Sequence, residues 1–464
     1  MNDTTSRQAQ GFDLERKLAQ NTKTLVVGPY LTERAAARAG GRTSLRDHQA
    51  RINEAEGLAG AIDLDVIGAV VAPLTQIRPA TFLGPGKVEE IGARVKEEEV
   101  GLVMVDCALS PVQQRNLEKA FGAKVIDRTG LILEIFGRRA RTREGALQVE
   151  LAHLDYQKSR LVRSWTHLER QRGGFGFLGG PGETQIETDR RLIQERMTRI
   201  ERDLEGVKKT RGLHRKNRQD VPYPVVALVG YTNAGKSTLF NRLTRAEVLA
   251  KDMLFATLDP TLRAVKLPHG ERIMLSDTVG FISDLPTMLV SAFRATLEEV
   301  IEADVVLHVR DISHEDTDAQ GEDVEHILRG LGIEPHDPRI LEVWSKVDLL
   351  PQDRADQLRA IGGRSASTFV VSAVTGEGVE PLLAGIEARL SSAHVAFSLA
   401  LPGEDGEGLS WIYGNAQVLS RLDDPSGEVG LEVKVAPERL DRFKRRFPQA
   451  RVREMAAEAH SSVA

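Results

Sequence analysis

The segment with the clearest chemical signature begins at Gly230 and ends at Ser237, and it reads Gly-Tyr-Thr-Asn-Ala-Gly-Lys-Ser. It follows the apolar run Val225–Val229, which predicts the buried strand that a phosphate-binding loop requires before it. Gly230 and Gly235 would let backbone N–H groups curl around a β-phosphate at the start of a helix. We expect Lys236 to bridge the β- and γ-phosphates and Ser237 to bind Mg²⁺. The residues that we expect around the phosphates are Gly230, Tyr231, Thr232, Asn233, Ala234, Gly235, Lys236, Ser237 and Thr238.

A second element, Asp277-Thr-Val-Gly280, follows the predicted strand Arg272–Leu275. Its carboxylate would lie near the Mg²⁺, and the Gly280 N–H would contact the γ-phosphate. In the preceding loop, Thr257 is the hydroxyl that we expect to close over the metal, with Thr261 as the alternative. The predicted catalytic groups are Lys236, Thr257 and Gly280, and the predicted metal ligands are Ser237 and Thr257. The other residues that we expect at the nucleotide here are Phe255, Ala256, Leu258, Asp259, Asp277, Thr278 and Val279.

A third element, Ser345-Lys-Val-Asp348, follows the predicted strand Leu341–Trp344 and predicts the reader of the base. Asp348 can accept hydrogen bonds from the N1–H and the exocyclic amine of guanine, whereas adenine presents an acceptor at N1. Related GTPases usually carry asparagine at the position of Ser345, so we predict weaker nucleotide affinity with the guanine preference retained. We expect Lys346 to lie along the base and a backbone N–H to reach the guanine oxygen. The residues predicted around the base are Ser345, Lys346, Val347, Asp348, Ser372 and Ala373.

Phe281 follows Gly280 directly, where many GTPases place a glutamine that orients the attacking water. A phenyl ring cannot hydrogen-bond to water, so we expect slow hydrolysis that is completed by a group outside this motif. A partner that orders the loops is one candidate. K⁺ is another, because an asparagine at the position of Asn233 helps hold a monovalent cation in some related GTPases. A brace of the loop is the alternative role for Asn233.

The elements around these motifs alternate between strand and helix, which predicts an α/β fold with parallel sheets. Strands are predicted at Thr24–Tyr30, Asp65–Leu74, Val100–Val105, Lys124–Asp127, Val305–Val309, Phe369–Val371, Val395–Leu401 and Gly430–Val435. Helices are predicted at Leu45–Leu58, Val88–Glu98, Pro111–Phe121, Leu409–Leu422 and Pro437–Phe447. We predict a flexible tail (1–21), an N-terminal α/β subdomain (22–140), a helical hairpin (141–219), a P-loop nucleotide domain (220–393) and a small C-terminal α+β domain (394–464).

The region between the two predicted parallel sheets differs in both pattern and charge. Its apolar residues recur at intervals of three and four, which predicts two helices that pack antiparallel. The predicted seam comprises Leu147, Leu151, Leu154, Leu161, Trp165 and Leu168, followed by Ile193, Met197, Ile200, Leu204 and Val207. From Arg138 to Arg218 there are 20 Lys and Arg against 11 Asp and Glu, although the whole chain carries a net charge of −5. The positive charge is therefore concentrated in this one segment.

The bulk composition sets outer limits on the class of protein. A chain of 464 residues is too long for one hydrophobic core, and 41% apolar and 28% charged residues are typical of a folded globular protein. Its single cysteine, Cys107, excludes an intramolecular disulfide and fits a reducing compartment. No apolar stretch reaches the roughly 20 residues that a bilayer demands, and the first ten residues lack the core of a secretory signal. We therefore expect a cytoplasmic monomer with at most a peripheral membrane association.

The order and identity of these motifs resemble the HflX family of translational GTPases, which carry a hydrophobic residue after D-x-x-G. The resemblance extends from about Thr24 to Val435. Its distinctive segments are Phe82-Leu-Gly-Pro-Gly-Lys-Val88, Arg128-Thr-Gly130, Gly173-Gly-Phe-Gly-Phe-Leu-Gly-Gly-Pro-Gly-Glu183, Glu187-Thr-Asp-Arg-Arg191 and Phe255-Ala-Thr-Leu-Asp259.

This resemblance implies GTP hydrolysis with Mg²⁺ and binding to the large ribosomal subunit, with roles in separating ribosomal subunits and rescuing stalled ribosomes under stress. A basic hairpin that ends in a glycine-rich loop is suited to the phosphate backbone of ribosomal RNA. The arginines that we expect to contact RNA are Arg163, Arg170, Arg172, Arg190 and Arg191. The alternative is a solvated helix face.

Other interpretations of the sequence stay open or are disfavoured. Phe281 leaves open an RNA-binding or ribosome-assembly module that binds GTP for stability and never turns it over. The family resemblance also suggests ATP binding or RNA remodelling by the N-terminal subdomain, but no second Walker motif supports it. Gly174–Gly179 matches G-x-G-x-x-G, yet it follows a helix rather than a strand, which argues against a dinucleotide fold. A membrane-associated GTPase finds no apolar anchor in the sequence.

Overall fold

The computed structural model contains three separate β-sheets with helices packed against them. It describes residues 22–32, 34–35, 46–169, 181–218, 223–245, 254–255, 257–258, 261–283, 294–392, 395–424, 427–435 and 439–452. The predicted α/β class is confirmed, with two parallel or largely parallel sheets followed by a small antiparallel one. No helix in these ranges is long and apolar enough to cross a membrane.

The first sheet is parallel and has the strand order β2-β1-β3-β4. Its elements are β1 (Lys23–Leu31), α1 (His48–Gly60), β2 (Asp65–Leu74), α2 (Pro85–Glu97), β3 (Leu102–Val105), α3 (Pro111–Phe121), β4 (Lys124–Asp127) and α4 (Arg128–Arg139). The start of α3 follows from its sequence, because Ser110 and Gln113 form a capping box and a proline occupies the first turn. Gly122, with φ of 69°, ends the helix.

Helix α4 was not predicted from the sequence. It begins where the Asp127 carboxylate accepts a hydrogen bond from the Gly130 N–H at 2.8 Å. Leu131, Ile132 and Phe136 are all fully buried, so apolar residues lie around most of the helix. Its apolar residues are concentrated in the short run Leu131–Phe136. A run of this length is compatible with a buried strand as well as with a buried helix.

The basic segment forms the two long helices α5 (Arg143–Glu169) and α6 (Pro181–Arg218). Their side chains meet in antiparallel order, since Lys158 donates to Gln194 at 2.6 Å and Arg196 donates to Glu150 at 2.8 Å. The seam on α6 is as predicted at Met197, Ile200 and Leu204, which are buried. On α5 the buried residues are Gln148, Val149 and Ala152, whereas Leu147, Leu151 and Leu154 are only half-buried. The predicted stripe on α5 is therefore displaced by about one residue.

The second sheet has the order β10-β9-β8-β5-β7-β6, with β6 antiparallel to β7 and the other pairs parallel. Its elements are β5 (Val225–Gly230), α7 (Lys236–Thr244), β6 (Thr261–Lys266), β7 (Arg272–Asp277), α8 (Arg294–Ile301), β8 (Val305–Asp311), α9 (Thr317–Gly330), β9 (Ile340–Ser345), a 3₁₀ turn (Val347–Leu349), α10 (Gln352–Gly362), β10 (Thr368–Val370) and α11 (Val379–Ser392). Because β5, β7, β8 and β9 run parallel, their carboxyl ends meet at one edge, where the three sequence motifs follow.

The third sheet is antiparallel, with the order β12-β13-β11-β14. Its elements are β11 (Val395–Pro402), α12 (Gly406–Asn415), β12 (Gln417–Asp423), β13 (Glu428–Val435), α13 (Leu440–Arg446) and β14 (Arg451–Val452). The predicted helix Leu409–Leu422 is wrong in its second half, which is strand β12. Leu419 and Leu422 continue a helical spacing in the sequence, but they lie on an edge strand and are 45% and 73% exposed.

Candidate functional site

The loop between β5 and α7 has the backbone geometry that an anion requires. Gly230 and Gly235 have φ of 153° and 97°, and a Cβ atom on Gly230 would lie 2.2 Å from the Val309 oxygen. Only glycine fits such a position without strain. Helix α7 begins at Lys236, directly after the loop, so its N-terminus points its partial positive charge into the loop.

Lys236 is buried and its Nζ donates to the Gly230 oxygen at 3.1 Å and the Tyr231 oxygen at 2.7 Å. Burial lowers the pKa of Lys236 to about 8, against the opposing charge of Asp277 and with a smaller contribution from Lys346. An anionic phosphate at this position would stabilise the charged ammonium. The lysine therefore has the chemistry of a phosphate ligand.

Three hydroxyl and carboxylate oxygens converge beside the loop. Ser237 Oγ and Thr257 Oγ1 donate to Asp277 Oδ2 at 2.7 and 2.8 Å, and the two hydroxyl oxygens lie 2.9 Å apart. Asp277 Oδ1 is buried and has no hydrogen-bond partner among the described residues. Burial raises the pKa of Asp277 above its usual range, against the effect of the two hydroxyl donors. Of the two candidate threonines it is Thr257 that contacts this group, whereas Thr261 pairs with Asp277 in the β6–β7 ladder.

This oxygen set fits Mg²⁺, which prefers hard oxygen ligands and takes few of them from the protein when phosphates supply others. Ser237, Thr257 and Asp277 are the residues that would hold the ion, and its role would be to neutralise charge on the phosphates. Within the ranges that the structure describes, no cluster of three His, Cys, Asp or Glu side chains could form a metal site of the all-protein kind.

The segment after Asp277 packs directly against the phosphate loop. The Phe281 N–H donates to the Gly230 oxygen at 3.0 Å, and the Thr232 N–H donates to the Phe281 oxygen at 2.7 Å. The Phe281 side chain is fully buried and belongs to the hydrophobic core that contains Val229 and Val279. A Cβ atom on Gly280 would lie 3.0 Å from Thr232 Cα and 3.1 Å from Lys236 Nζ. Gly280 is thus in close contact with two groups expected at the γ-phosphate.

The base-reading residues lie together at the ends of β9 and β10. Asp348 is exposed in the 3₁₀ turn, and the Val347 N–H donates to the Val371 oxygen at 3.4 Å. Lys346 has φ of 64° and forms an ion pair with Asp311 at 2.8 Å. The Ser372 N–H donates to the Glu377 oxygen at 3.0 Å. The predicted contact of Ser372 and Ala373 with a guanine oxygen stays a prediction.

Ser345 lies at the bottom of this site and is 1% exposed. Its Oγ has no hydrogen-bond partner in the part of the chain that the structure describes. A Cβ atom on Gly235 would lie 2.8 Å from this Oγ. The short serine therefore approaches the phosphate loop closely without a hydrogen bond to it among the described residues. The weaker nucleotide affinity expected from this serine stays a prediction.

Some predicted site residues cannot be placed in the same way. Ala256, Asp259, Arg170 and Arg172 lie outside the described residues, and the side chain of Arg163 also lies outside them. Arg190 and Arg191 are exposed on α6, and Arg191 lies 3.6 Å from Glu195. The proposed RNA contacts of these arginines stay predictions.

A buried charged cluster lies between the first sheet and the phosphate loop, and no pattern in the sequence predicted it. Glu54 of α1 accepts hydrogen bonds from Tyr231 at 2.5 Å, from Arg46 at 2.8 Å and from Arg128 at 2.6 Å. Arg128 also donates to Asp106 at 2.6 Å. Arg128 could have been suspected, because it opens the family segment Arg128-Thr-Gly130, but nothing in the pattern around Glu54 indicates a partner 177 residues away.

Comparison with known proteins agrees with this geometry. Four family models match: the GTP-binding GTPase N-terminal region (residues 49–137), the GTP-binding GTPase middle region (139–218), the 50S ribosome-binding GTPase (225–346) and the HflX C-terminal domain (358–457).

Among relatives, the chain is 52% identical to a GTPase HflX of Magnetococcus marinus over 396 residues, which cover 85% of this chain and 90% of the relative. It is 44% identical to the GTPase HflX of Escherichia coli, covering 83% of this chain and 89% of the relative. Among solved structures, a GTP-binding protein from Sulfolobus solfataricus in complex with GDP is 22% identical, with a TM-score of 0.42, over 79% of this chain and 98% of that one. By the sequence relatives and the family models, the chain belongs to the HflX family of GTPases, the P-loop enzymes that hydrolyse GTP.

Proposed function

We propose that this GTPase binds the large ribosomal subunit in its GTP state and acts in splitting or rescuing ribosomes under stress. The observation that carries the proposal is the charge of the α5–α6 hairpin segment, with 20 Lys and Arg against 11 Asp and Glu in a chain of net charge −5. Lys and Arg side chains release counterions when they contact a phosphate backbone. A match to a family described as a 50S ribosome-binding GTPase supports the same partner. Such a role belongs to the cytoplasm.

The hairpin is joined closely to the nucleotide domain. Helix α6 ends at Arg218, and strand β5, which leads into the phosphate loop, begins at Val225. The hairpin also contacts the first sheet, because Tyr156 and Arg160 of α5 donate to the carboxylate of Asp127 in β4 at 2.6 and 2.7 Å. Binding of RNA to the hairpin could therefore act on the domain that holds the nucleotide.

In the proposed cycle, GTP and Mg²⁺ bring Thr257 and Gly280 into contact with the ion and the γ-phosphate and favour the ribosome-bound state, and hydrolysis then ends these contacts. Lys236 and the loop backbone hold the phosphates, while Ser237, Thr257 and Asp277 would hold Mg²⁺. Because Phe281 is buried, it supplies no contact to water, and turnover by the protein alone should be slow. We propose that contact with the ribosome supplies the missing group, with K⁺ near Asn233 as a second contributor.

The test of nucleotide gating is co-sedimentation with large subunits in the presence of a non-hydrolysable GTP analogue or GDP. A switch requires different affinities for the two states, so more protein should pellet with the analogue. Equal binding would refute the gating. A hairpin variant with Arg190 and Arg191 changed to Ala should bind less and show a shallower dependence on salt, while its GDP affinity stays unchanged.

GTP turnover with and without purified large subunits separates this proposal from an assembly module that holds GTP without hydrolysing it. We expect phosphate release to accelerate when subunits are added. No acceleration would favour the assembly module. Replacing K⁺ by Na⁺ in the same assay tests the cation, and identical rates would remove K⁺ from the mechanism.

A further inference from the structure

A buried polar cluster connects the first sheet and its helices to both nucleotide-sensing loops, and we call it the interdomain cluster. It comprises Arg46, Glu54, Asp106, Arg128, Tyr231 and Ser283. Glu54 is at its centre. Its Oε2 accepts from Tyr231 of the phosphate loop at 2.5 Å, and its Oε1 accepts from the Ser283 hydroxyl at 3.1 Å.

The charges in this cluster are desolvated and balanced. The side chains of Arg46, Glu54 and Arg128 are 5%, 8% and 6% exposed. The two arginines face the carboxylates of Glu54 and Asp106, and Arg46 also lies 3.4 Å from Asp316 at the edge of the cluster. Burial by itself would raise the pKa of Glu54, but the charges of Arg128 and Arg46 and the Tyr231 hydrogen bond lower it to about 2. Removing one member of such a buried group leaves its partners unpaired, which is strongly destabilising for that arrangement.

The interdomain cluster binds the segment that follows Gly280 at its far end, at Ser283. Arg128 donates to the Ser283 oxygen at 3.0 Å, and the Ser283 N–H donates to the Tyr231 hydroxyl at 2.9 Å. Two residues earlier, Phe281 is paired with the backbone of the phosphate loop. The segment from Gly280 to Ser283 is therefore fixed against the phosphate loop at both ends.

The position of this segment affects the space for a γ-phosphate much more than the space for a β-phosphate. A γ-phosphate must fit between Lys236 Nζ and the Gly280 N–H. Here a Cβ atom on Gly280 would already lie 3.1 Å from Lys236 Nζ. A γ-phosphate placed between these two groups would separate them and so push the segment away from the loop, whereas a diphosphate lacks the group that would do this. Movement of the segment would pull Ser283 from Glu54 and Arg128.

We propose that Glu54 and Arg128 are positioning residues that set the preference of this GTPase between GTP and GDP. They act through Tyr231 and Ser283, and they favour the conformation in which Gly280 lies against Lys236. Because coupling between two sites is reciprocal, a bound γ-phosphate must loosen the interdomain cluster by the same free energy. Loss of the cluster should strengthen binding of the triphosphate and leave that of the diphosphate nearly unchanged.

The test measures dissociation constants of the full-length protein for GDP and for a non-hydrolysable GTP analogue. Glu54→Gln keeps the shape of the side chain and removes its charge. Ser283→Ala is a milder change that removes the three hydrogen bonds of one hydroxyl, with Arg46, Arg128 and Glu54. The matched control is Glu98→Gln, which removes the charge from a half-buried ion pair with Arg94 that lies outside the interdomain cluster in the same domain. Coupling energies of this kind correspond to roughly 5- to 150-fold in affinity, so we expect the GTP-to-GDP preference of Glu54→Gln to rise within that range.

The outcomes separate positioning from a general structural role. Ser283→Ala should shift the preference in the same direction by a smaller factor, and Glu98→Gln should not shift it. Equal changes in both dissociation constants would mean that the cluster only supports the fold, and would overturn the proposal. Unchanged constants in both cluster variants would do so as well. If Glu54→Gln does not fold, Ser283→Ala decides.

Hydrogen exchange gives a second readout in the unmodified protein. Amides of α1, which carries Glu54, should exchange faster with the GTP analogue bound than with GDP bound. Amides of α13, which lies in the third sheet's domain, serve as the internal reference. Identical exchange of α1 in the two nucleotide states would contradict the coupling.

Discussion

The buried Lys236 makes nucleotide affinity depend on pH in a range where the phosphates have already lost their protons. The pKa of its ammonium is lowered to about 8, mainly by burial, from 10.5 for an ordinary lysine. The nucleotide binds to the form of the protein in which Lys236 is charged. Its affinity is therefore highest well below pH 8 and decreases as the pH rises through that value. Between pH 7.5 and 9 the charged fraction of the free protein decreases by about eightfold, which is about 1.2 kcal/mol.

The assay is a fluorescence titration with a labelled GDP at fixed Mg²⁺ and ionic strength across this range. We expect the dissociation constant to rise by about eightfold, with a midpoint near pH 8. The matched control is Lys236→Ala, which should bind more weakly at every pH but lose the dependence that belongs to the lysine. Guanine itself begins to lose its N1 proton near the upper end of the range, and the control variant measures that contribution. A flat profile for the native protein, or the same slope in both proteins, would refute the reasoning.

Three further predictions concern the metal, the base site and the C-terminal domain. Asp277→Asn leaves the hydroxyl groups of Ser237 and Thr257 without their carboxylate acceptor. The Mg²⁺ concentration for half-maximal GTP hydrolysis should therefore increase by about tenfold to a hundredfold. An unchanged Mg²⁺ dependence would exclude Asp277 from the metal site. Ser345→Asn should tighten GDP binding by roughly tenfold, which is about the effect of one added hydrogen bond to a buried loop. Calorimetry measures the affinity, and an equal or weaker affinity of the variant would contradict this interpretation of Ser345. Phe443→Ala removes a fully buried ring whose centroid lies 4.8 Å from that of the Phe397 ring. Denaturant melts should show that the unfolding free energy of the C-terminal domain falls by about 3–5 kcal/mol. The control Tyr413→Ala, at a position that is 53% exposed, should have little effect.

Sequence patterns located most of the regular structure because the signals are local. The ranges Asp65–Leu74, Pro111–Phe121 and Lys124–Asp127 agree residue for residue with the structure. Each is marked by a short apolar run or by a capping residue and a proline, which act within a few positions. Helix α4 was missed because a short apolar run such as Leu131–Phe136 does not distinguish a buried helix from a buried strand. Strand β6 was missed because it lies at the edge of its sheet, where Val265 alone of its six residues is buried.

The amino-acid sequence by itself determined the order of the nucleotide motifs and the kind of base that they select, since glycine, lysine and aspartate have these roles through their own chemistry. Tertiary structure decided which threonine lies beside Ser237 and Asp277, and that Glu54 contacts Tyr231. Glu54 and Tyr231 are 177 positions apart, and an isolated glutamate carries the same local signal whether it is exposed or buried. Only the docking of two domains removes water from such a residue and fixes which charges it faces, so its role is a property of the folded chain.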